Sequence, residues 1–198
     1  MERPDEMLFS LQKLVSDLSL VDRNHHVLGS ERAENDIDHS FSVALLCWYL
    51  CEKYALPLDP QKVMRYAMVH DFVERYAGDV STYAPKSERL KKIELERASL
   101  ARLSDEFKSF PGLVNTMQNY EAKSDEEALF VWTVDKMQAM ILADMDGWRP
   151  YRKLGISYDR FVNKHSDQLE HCSPYCKVIF APLLEYCKTT FHDRPASA

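Results

Sequence analysis

Glycine is scarce in this chain, with five among 198 residues. Neither G-x-x-x-x-G-K-[ST] nor G-x-G-x-x-G occurs, which weighs against the glycine-rich phosphate loops of P-loop and Rossmann proteins. Long apolar runs are missing as well. The stretch Val43 to Cys51 is too short to cross a bilayer. The first residues are charged, and Gln12, Lys13 and Asp17 interrupt the apolar residues after them, which is not the pattern of an export signal. The cysteines number five, an odd count that suits reduced thiols in the cytoplasm. Cys47 and Cys51, like Cys172 and Cys176, are four apart, the spacing of a packed helix face and not of a zinc finger. An excess of positive charge is also absent, the formal net charge being -6. The run Arg89-Leu90-Lys91-Lys92 is diluted by Glu88, Glu94 and Glu96 and reads as a solvated helix face. Without a basic stripe, long nucleic acid is not an expected partner. A small anion needs only one or two arginines and stays open.

What is present is a chain 45% hydrophobic, enough for a sizeable core. Most of it reads as helix. Asp5 caps a first helix whose Met7, Leu8, Leu11, Leu14, Val15 and Leu18 recur at helical spacing. Residues 22–38 are too polar for a core helix and read as a loop. A second helix runs from about His39 to Tyr54. Asp59-Pro60 starts a third, which continues to Ala77 and stops at Gly78. A charged helix is expected over about 87–107 and a short one around 113–120. Ser124 with Glu127 forms a capping box for a long helix that ends near Gly147. Residues 148–158 read as irregular, the last helical region is interrupted near Pro174, and the tail beyond His192 reads as frayed. No period-2 strand pattern stands out, so the fold class is all-α. The whole chain, 1–198, reads as a single domain with its core over roughly 5–147 and a C-terminal helical extension over 158–191.

The third helix carries the chemistry. His70, Asp71 and Glu74 lie three and four residues apart and fall on one side of a helix, after an apolar segment that contains Val63, Met64, Ala67, Met68 and Val69. An imidazole beside carboxylates against an apolar wall is costly unless neutralised, and a divalent cation does that. A surface pair would also explain His70-Asp71 taken alone. Two further residues narrow the choice. His39 stands at the entry to an apolar helix. Asp135 lies inside Phe130-Val131-Trp132-Thr133-Val134-Asp135-Lys136-Met137, where an unpaired aspartate is costly; an ion pair with Lys136 is the simpler account of it.

The order His39, His70-Asp71, Asp135 resembles the H…HD…D signature of the HD-domain metal-dependent phosphohydrolases. Arg32-Ala33-Glu34-Asn35 with Asp38-His39-Ser40, and His70-Asp71 with Glu74 and Gly78-Asp79, look like the 5'-deoxynucleotidase branch. So do Tyr120-Glu121, Ser124, Glu127-Ala128 and Phe130-Val131 up to Asp135-Lys136. The resemblance spans roughly residues 8–146. It implies an HD-domain helical bundle with a single divalent metal (Mn, Co, Mg, Zn or Fe) held by His39, His70, Asp71 and Asp135. It also implies hydrolysis of a deoxynucleoside 5'-monophosphate to nucleoside and phosphate, with Glu74 and Asp79 catalytic and Arg23 on the phosphate. The family has tryptophan after that arginine, where this chain has Asn24. No histidine lies between Asp71 and Asp135, which argues for one metal and not two.

Phosphomonoesters at neutral pH are dianions that repel an anionic attacker, and a divalent ion offsets this. Glu74 is placed to orient or deprotonate water, and Asp79 to protonate the leaving 5'-oxygen or hold the water. Arg23 and Arg32 are candidate phosphate clamps, with Lys86 and Thr82 after them; His25 and His26 read as loop residues. Two alternatives remain: a phosphodiesterase or pyrophosphohydrolase acting on a signalling nucleotide or nucleoside triphosphate, and a non-enzymatic metal-binding scaffold. The partners expected are a small nucleotide and, as the resemblance implies, a second copy in a homodimer; Trp48, Tyr49 and the aromatic C-terminal segment fit such a contact, and core packing explains them equally well.

Overall fold

A computed structural model describes residues 5–193, apart from the side chains of His192 and Asp193. Asp5 accepts the Met7 N–H and starts α1, Glu6–Leu18. The next segment is not a loop. β1 (Asp22–His26) pairs antiparallel with β2 (Ala33–Asn35), with Asp22 opposite Asn35 and His26 opposite Ala33. Its side chains are mostly polar, so it has none of the apolar alternation that marks a strand in sequence. Asn35 and Asp38 then form a reciprocal capping box that starts α2, Asp36–Lys53, three residues before His39.

Asp59 caps α3, which ends at Val69, and His70 to Val73 form tight turns before the single turn of α4, Glu74–Ala77. The single helix expected over 60–77 is therefore broken at the residues that carry the chemistry. Phe72 N–H bonds Val69 O and Glu74 N–H bonds Asp71 O, three residues back and not four. This break redirects Asp71 and Glu74 away from ideal helical positions. Gly78, at φ 72°, closes the segment.

α5 (Lys86–Glu106) and α6 (Pro111–Glu121) follow. The cap of α7, Glu126–Met145, is Asp125, which accepts the Ala128 N–H. Ser124, the expected cap, donates instead to Asn119 O. α7 is the central helix and packs against α2, α3 and the C-terminal helix. Phe130, Val131, Val134, Met137, Met140 and Ala143 bury it nearly all round, and each large side chain withdrawn from water stabilises the fold by about 1.5–3 kcal/mol.

Residues 148–158 are not irregular. Gly147 and Trp148, both at positive φ, turn the chain into α8, Arg149–Lys153. α9 spans Tyr158–Glu170 and α10 Pro174–Asp193, with Pro182 inside it. The expected fraying beyond His192 concerns residues that, Asp193 apart, lie outside the described ones. Among the described residues the result is a helical bundle with one two-stranded ribbon.

Candidate active site

The break after α3, the start of α2 and the middle of α7 meet in the core. His39, 0% exposed, directs Nε2 at Asp135 Oδ1, 3.1 Å away, and at Asp71 Oδ2, 3.5 Å away. His70 directs Nε2 at Asp71 Oδ2 at 3.2 Å. Each ring uses its other nitrogen as a donor. His39 Nδ1–H donates to Gln138 Oε1 at 3.0 Å, and the Gln138 amide donates to Glu34 at 2.9 Å. His70 Nδ1–H donates to Ala67 O at 2.9 Å. These bonds commit Nδ1–H of both rings as the donor and turn both Nε2 atoms toward carboxylate oxygens, His39 with its Nε2 lone pair free.

Acceptor facing acceptor in a buried site is unfavourable unless a cation lies between them. Burial, reinforced by Arg23, keeps His39 neutral by lowering its pKa, so its own proton does not resolve the clash. Donor atoms of His39, His70 and Asp135 lie within 4.8 Å of one another, and His70 Nε2 is buried without a hydrogen-bond partner. Imidazole nitrogen with carboxylate oxygen is a donor set for a divalent transition metal. The residues fit one.

Burial would raise the Asp71 pKa, but His70 and Arg23 outweigh it and hold this carboxylate well below the usual range. Burial depresses His70, and Asp71 beside it reverses the direction. Asp135 Oδ2 also receives Lys136 Nζ at 2.7 Å. The ion pair considered from sequence thus exists, although adjacent helix positions point apart.

A cleft opens onto this cluster, lined by Arg23, Glu74, Asp79, Lys92 and Lys136 among others. Arg23 Nη1 lies 2.7 Å from Asp71 Oδ2 and 3.5 Å from Asp36 Oδ1. Glu74 is buried, and burial together with Asp71 and Asp79 pushes its pKa up. Asp79 follows Gly78 on the same wall.

Two expected phosphate contacts are elsewhere. Arg32 is exposed and pairs with Asp38 at 2.6 Å, because Asp38 is the near partner that the start of α2 presents. Lys86 is exposed at the first turn of α5 and is not among the residues lining the cleft. Thr82 does line it. Lys92, read from sequence as part of a solvated face, turns inward: its Nζ is 2.9 Å from Glu74, 3.4 Å from Glu96 and 3.9 Å from Asp79. His25, read as a loop residue, lines the cleft and is held neutral by burial and Arg23, its pKa falling to about 3.

Glu34, Asp36 and Gln138 were also not singled out as site residues. All three are buried, and burial lifts the carboxyl groups of Glu34 and Asp36 to about 7. The available signal was the run of four acidic residues over 31–38 immediately before His39, too many for a buried helix start without a shared positive charge.

The model of the HD domain family matches residues 15–176. The chain belongs to the HD-domain family. This HD domain is 26% identical over 122 residues to the 5'-deoxynucleotidase HDDC2 of Dictyostelium discoideum, covering 58% of this chain and 64% of that protein. It is 27% identical over 139 residues to the 5'-deoxynucleotidase HDDC2 of Mus musculus, covering 69% and 68%. The chain thus spans about two thirds of the length of these curated relatives. Among solved structures, a predicted metal-dependent phosphohydrolase from Magnetospirillum magnetotacticum MS-1 superposes with a TM-score of 0.77 at 23% identity, over 98% of this chain and 99% of that one. A protein from Pyrococcus horikoshii OT3 gives 0.62 at 23% identity, over 92% and 99%. Both show the shared fold. Family and donor set agree on an HD domain whose buried His and Asp side chains suit a divalent cation. Among the described residues, no helix is long and apolar enough to cross a membrane.

Proposed function

We propose that this HD domain is a 5'-deoxynucleotidase, hydrolysing deoxynucleoside 5'-monophosphates to deoxynucleosides and phosphate. The observation that carries the reading is the meeting of two imidazole Nε2 atoms with Asp71 and Asp135 at the floor of a cleft whose lining includes Arg23, Lys92 and Lys136. The names of the curated relatives agree with it.

In this reading His39, His70, Asp71 and Asp135 hold one divalent ion, which when bound neutralises the phosphate and acidifies a water. Glu74 orients that water and takes its proton. The water oxygen bonds to phosphorus, the P–O5' bond breaks, and the leaving 5'-oxygen receives the proton that Glu74 took from the water, while Asp79 helps to hold that water. Arg23 lines the cleft beside Asp71 and would offer its guanidinium to the phosphate oxygens. Lys92 steadies Glu74 and Asp79 and adds positive charge to the wall.

The chain acts as one domain, since the segment after residue 148 supplies part of the cleft wall. It pairs as a homodimer through the exposed Trp48 and Tyr49 on α2. Its five unbridged cysteines suit the cytoplasm.

The test is a phosphate-release panel on deoxynucleoside monophosphates, cyclic nucleotides and nucleoside triphosphates, with Mn, Co or Mg and with EDTA. Release from the monophosphates that EDTA abolishes and metal restores is the expected result. Turnover confined to cyclic or polyphosphorylated nucleotides would overturn it.

A further inference from the structure

The hydrolytic groups occupy only part of the cleft wall. The rest comes from Tyr83 in the loop before α5, Pro150, Tyr151 and Leu154 around α8, and His165 and Gln168 on α9. Tyr151, His165 and Gln168 are 5%, 4% and 4% exposed. The Tyr83 and Tyr151 hydroxyls approach His165 Nε2 at 3.2 and 3.3 Å. The two phenol rings meet edge to face at 5.4 Å. Arg160 lies over the Tyr83 ring and donates to the Tyr83 carbonyl, which ties the loop to α9. This is a rigid, largely aromatic surface.

Its polar atoms are poorly satisfied. His165 Nδ1 and Gln168 Oε1 are both buried and close no bond of full geometry, although a Gln168 hydrogen bond acts on the His165 pKa. A ligand edge with matching donors and acceptors completes the bonding of such atoms. Burial holds His165 neutral, its pKa falling to about 4, so this wall does not attract an anion. A flat ring carrying neutral hydrogen-bonding groups matches it.

We propose that Tyr83, Tyr151, His165 and Gln168 form the subsite for a nucleobase, whose edge is hydrogen-bonded by Gln168 and His165. The proposal rests on the phosphomonoesterase reading above and assigns the segment after residue 148 to substrate selection.

The experiment compares kcat/KM, with Mn present, for the four common deoxynucleoside 5'-monophosphates and for deoxyribose 5-phosphate, which lacks a base. The expected wild-type result is a preference of about tenfold or more for at least one deoxynucleotide over the sugar phosphate. Gln168→Leu should lower that ratio about three- to tenfold, the worth of one neutral hydrogen bond, and change the order of base preference. Tyr83→Leu, at a less buried position, should also lower it and decides the matter if Gln168→Leu does not fold. Equal efficiency for sugar phosphate and nucleotides in the wild type, or an unchanged ratio in both variants, overturns the subsite and leaves the phosphomonoesterase reading standing. If the panel and deoxyribose 5-phosphate all go unhydrolysed with Mn, Co and Mg, that reading fails and the subsite fails with it.

Discussion

His39 and His70 present the same nitrogen because each commits Nδ1–H to a fixed acceptor, Gln138 in one case and the Ala67 carbonyl in the other. Replacing Gln138 with leucine removes the acceptor and frees the His39 ring. The expected loss is about 10- to 100-fold in metal affinity, read by metal titration; unchanged affinity would show that the amide does not orient the ligand. His70→Ala and Asp71→Ala should lose bound metal and activity together, whereas Glu74→Gln should keep the metal and lose about a hundredfold or more in kcat. Metal analysis of the purified variants separates these outcomes. Arg32→Ala and Lys86→Ala should leave kcat/KM within about twofold, and a larger effect on either would place it in the cleft after all. The four side chains that converge were visible in sequence because three of them interrupt apolar stretches, where a charge needs a reason. Lys92 was not visible. With Glu96 four residues on, it looks like an ordinary exposed helix pair, and only the approach of α4 to α5 turns it toward Glu74.

Between residues 60 and 78 the helical pattern is continuous in sequence, yet the helix stops at Val69. No proline or glycine marks the break. It arises because Ala67 O bonds the His70 ring and the following turn closes over three residues, a choice made by the site and not by propensity. The end of the segment was legible, since Gly78 sits at φ 72° and ψ 158°, a region essentially reserved for glycine. Gly78→Ala meets no steric obstacle within 4 Å but takes on the backbone strain. The expected cost is about 1–3 kcal/mol of stability, with a fall in kcat because Asp79 is the next residue; equal urea midpoints and equal kcat would rule this out. α7 was the most legible element, being apolar almost all round. Met140→Ala, at its buried centre, should cost about 2–5 kcal/mol in urea unfolding. The ribbon of β1 and β2 was illegible because a strand that faces a polar site shows no alternation of apolar residues.

Across the whole molecule the site joins distant parts of the chain: β1 brings Arg23, α2 His39, α7 Asp135, and α9 closes the cleft with His165 and Gln168. Sequence alone separated a core over 5–147 from an extension, because the chemistry-bearing motifs end at Asp135. What the later helices do depends on long-range packing that no local pattern reports. This packing also makes a contribution to stability that depends on pH. His165 is buried neutral with its pKa moved from 6.5 to about 4, and desolvation is the main cause. The unfolded chain takes up this proton below about pH 6.5, whereas the folded chain resists it until about pH 4. The stability contributed is therefore complete above pH 6.5 and is lost as pH falls toward 4. The shift corresponds to about 3 kcal/mol. Urea unfolding between pH 7 and 4.5 should show this decline, and His165→Gln, which keeps a polar side chain but does not titrate there, should flatten part of it. Parallel pH profiles for the two proteins would show that His165 titrates alike in the folded and unfolded chain.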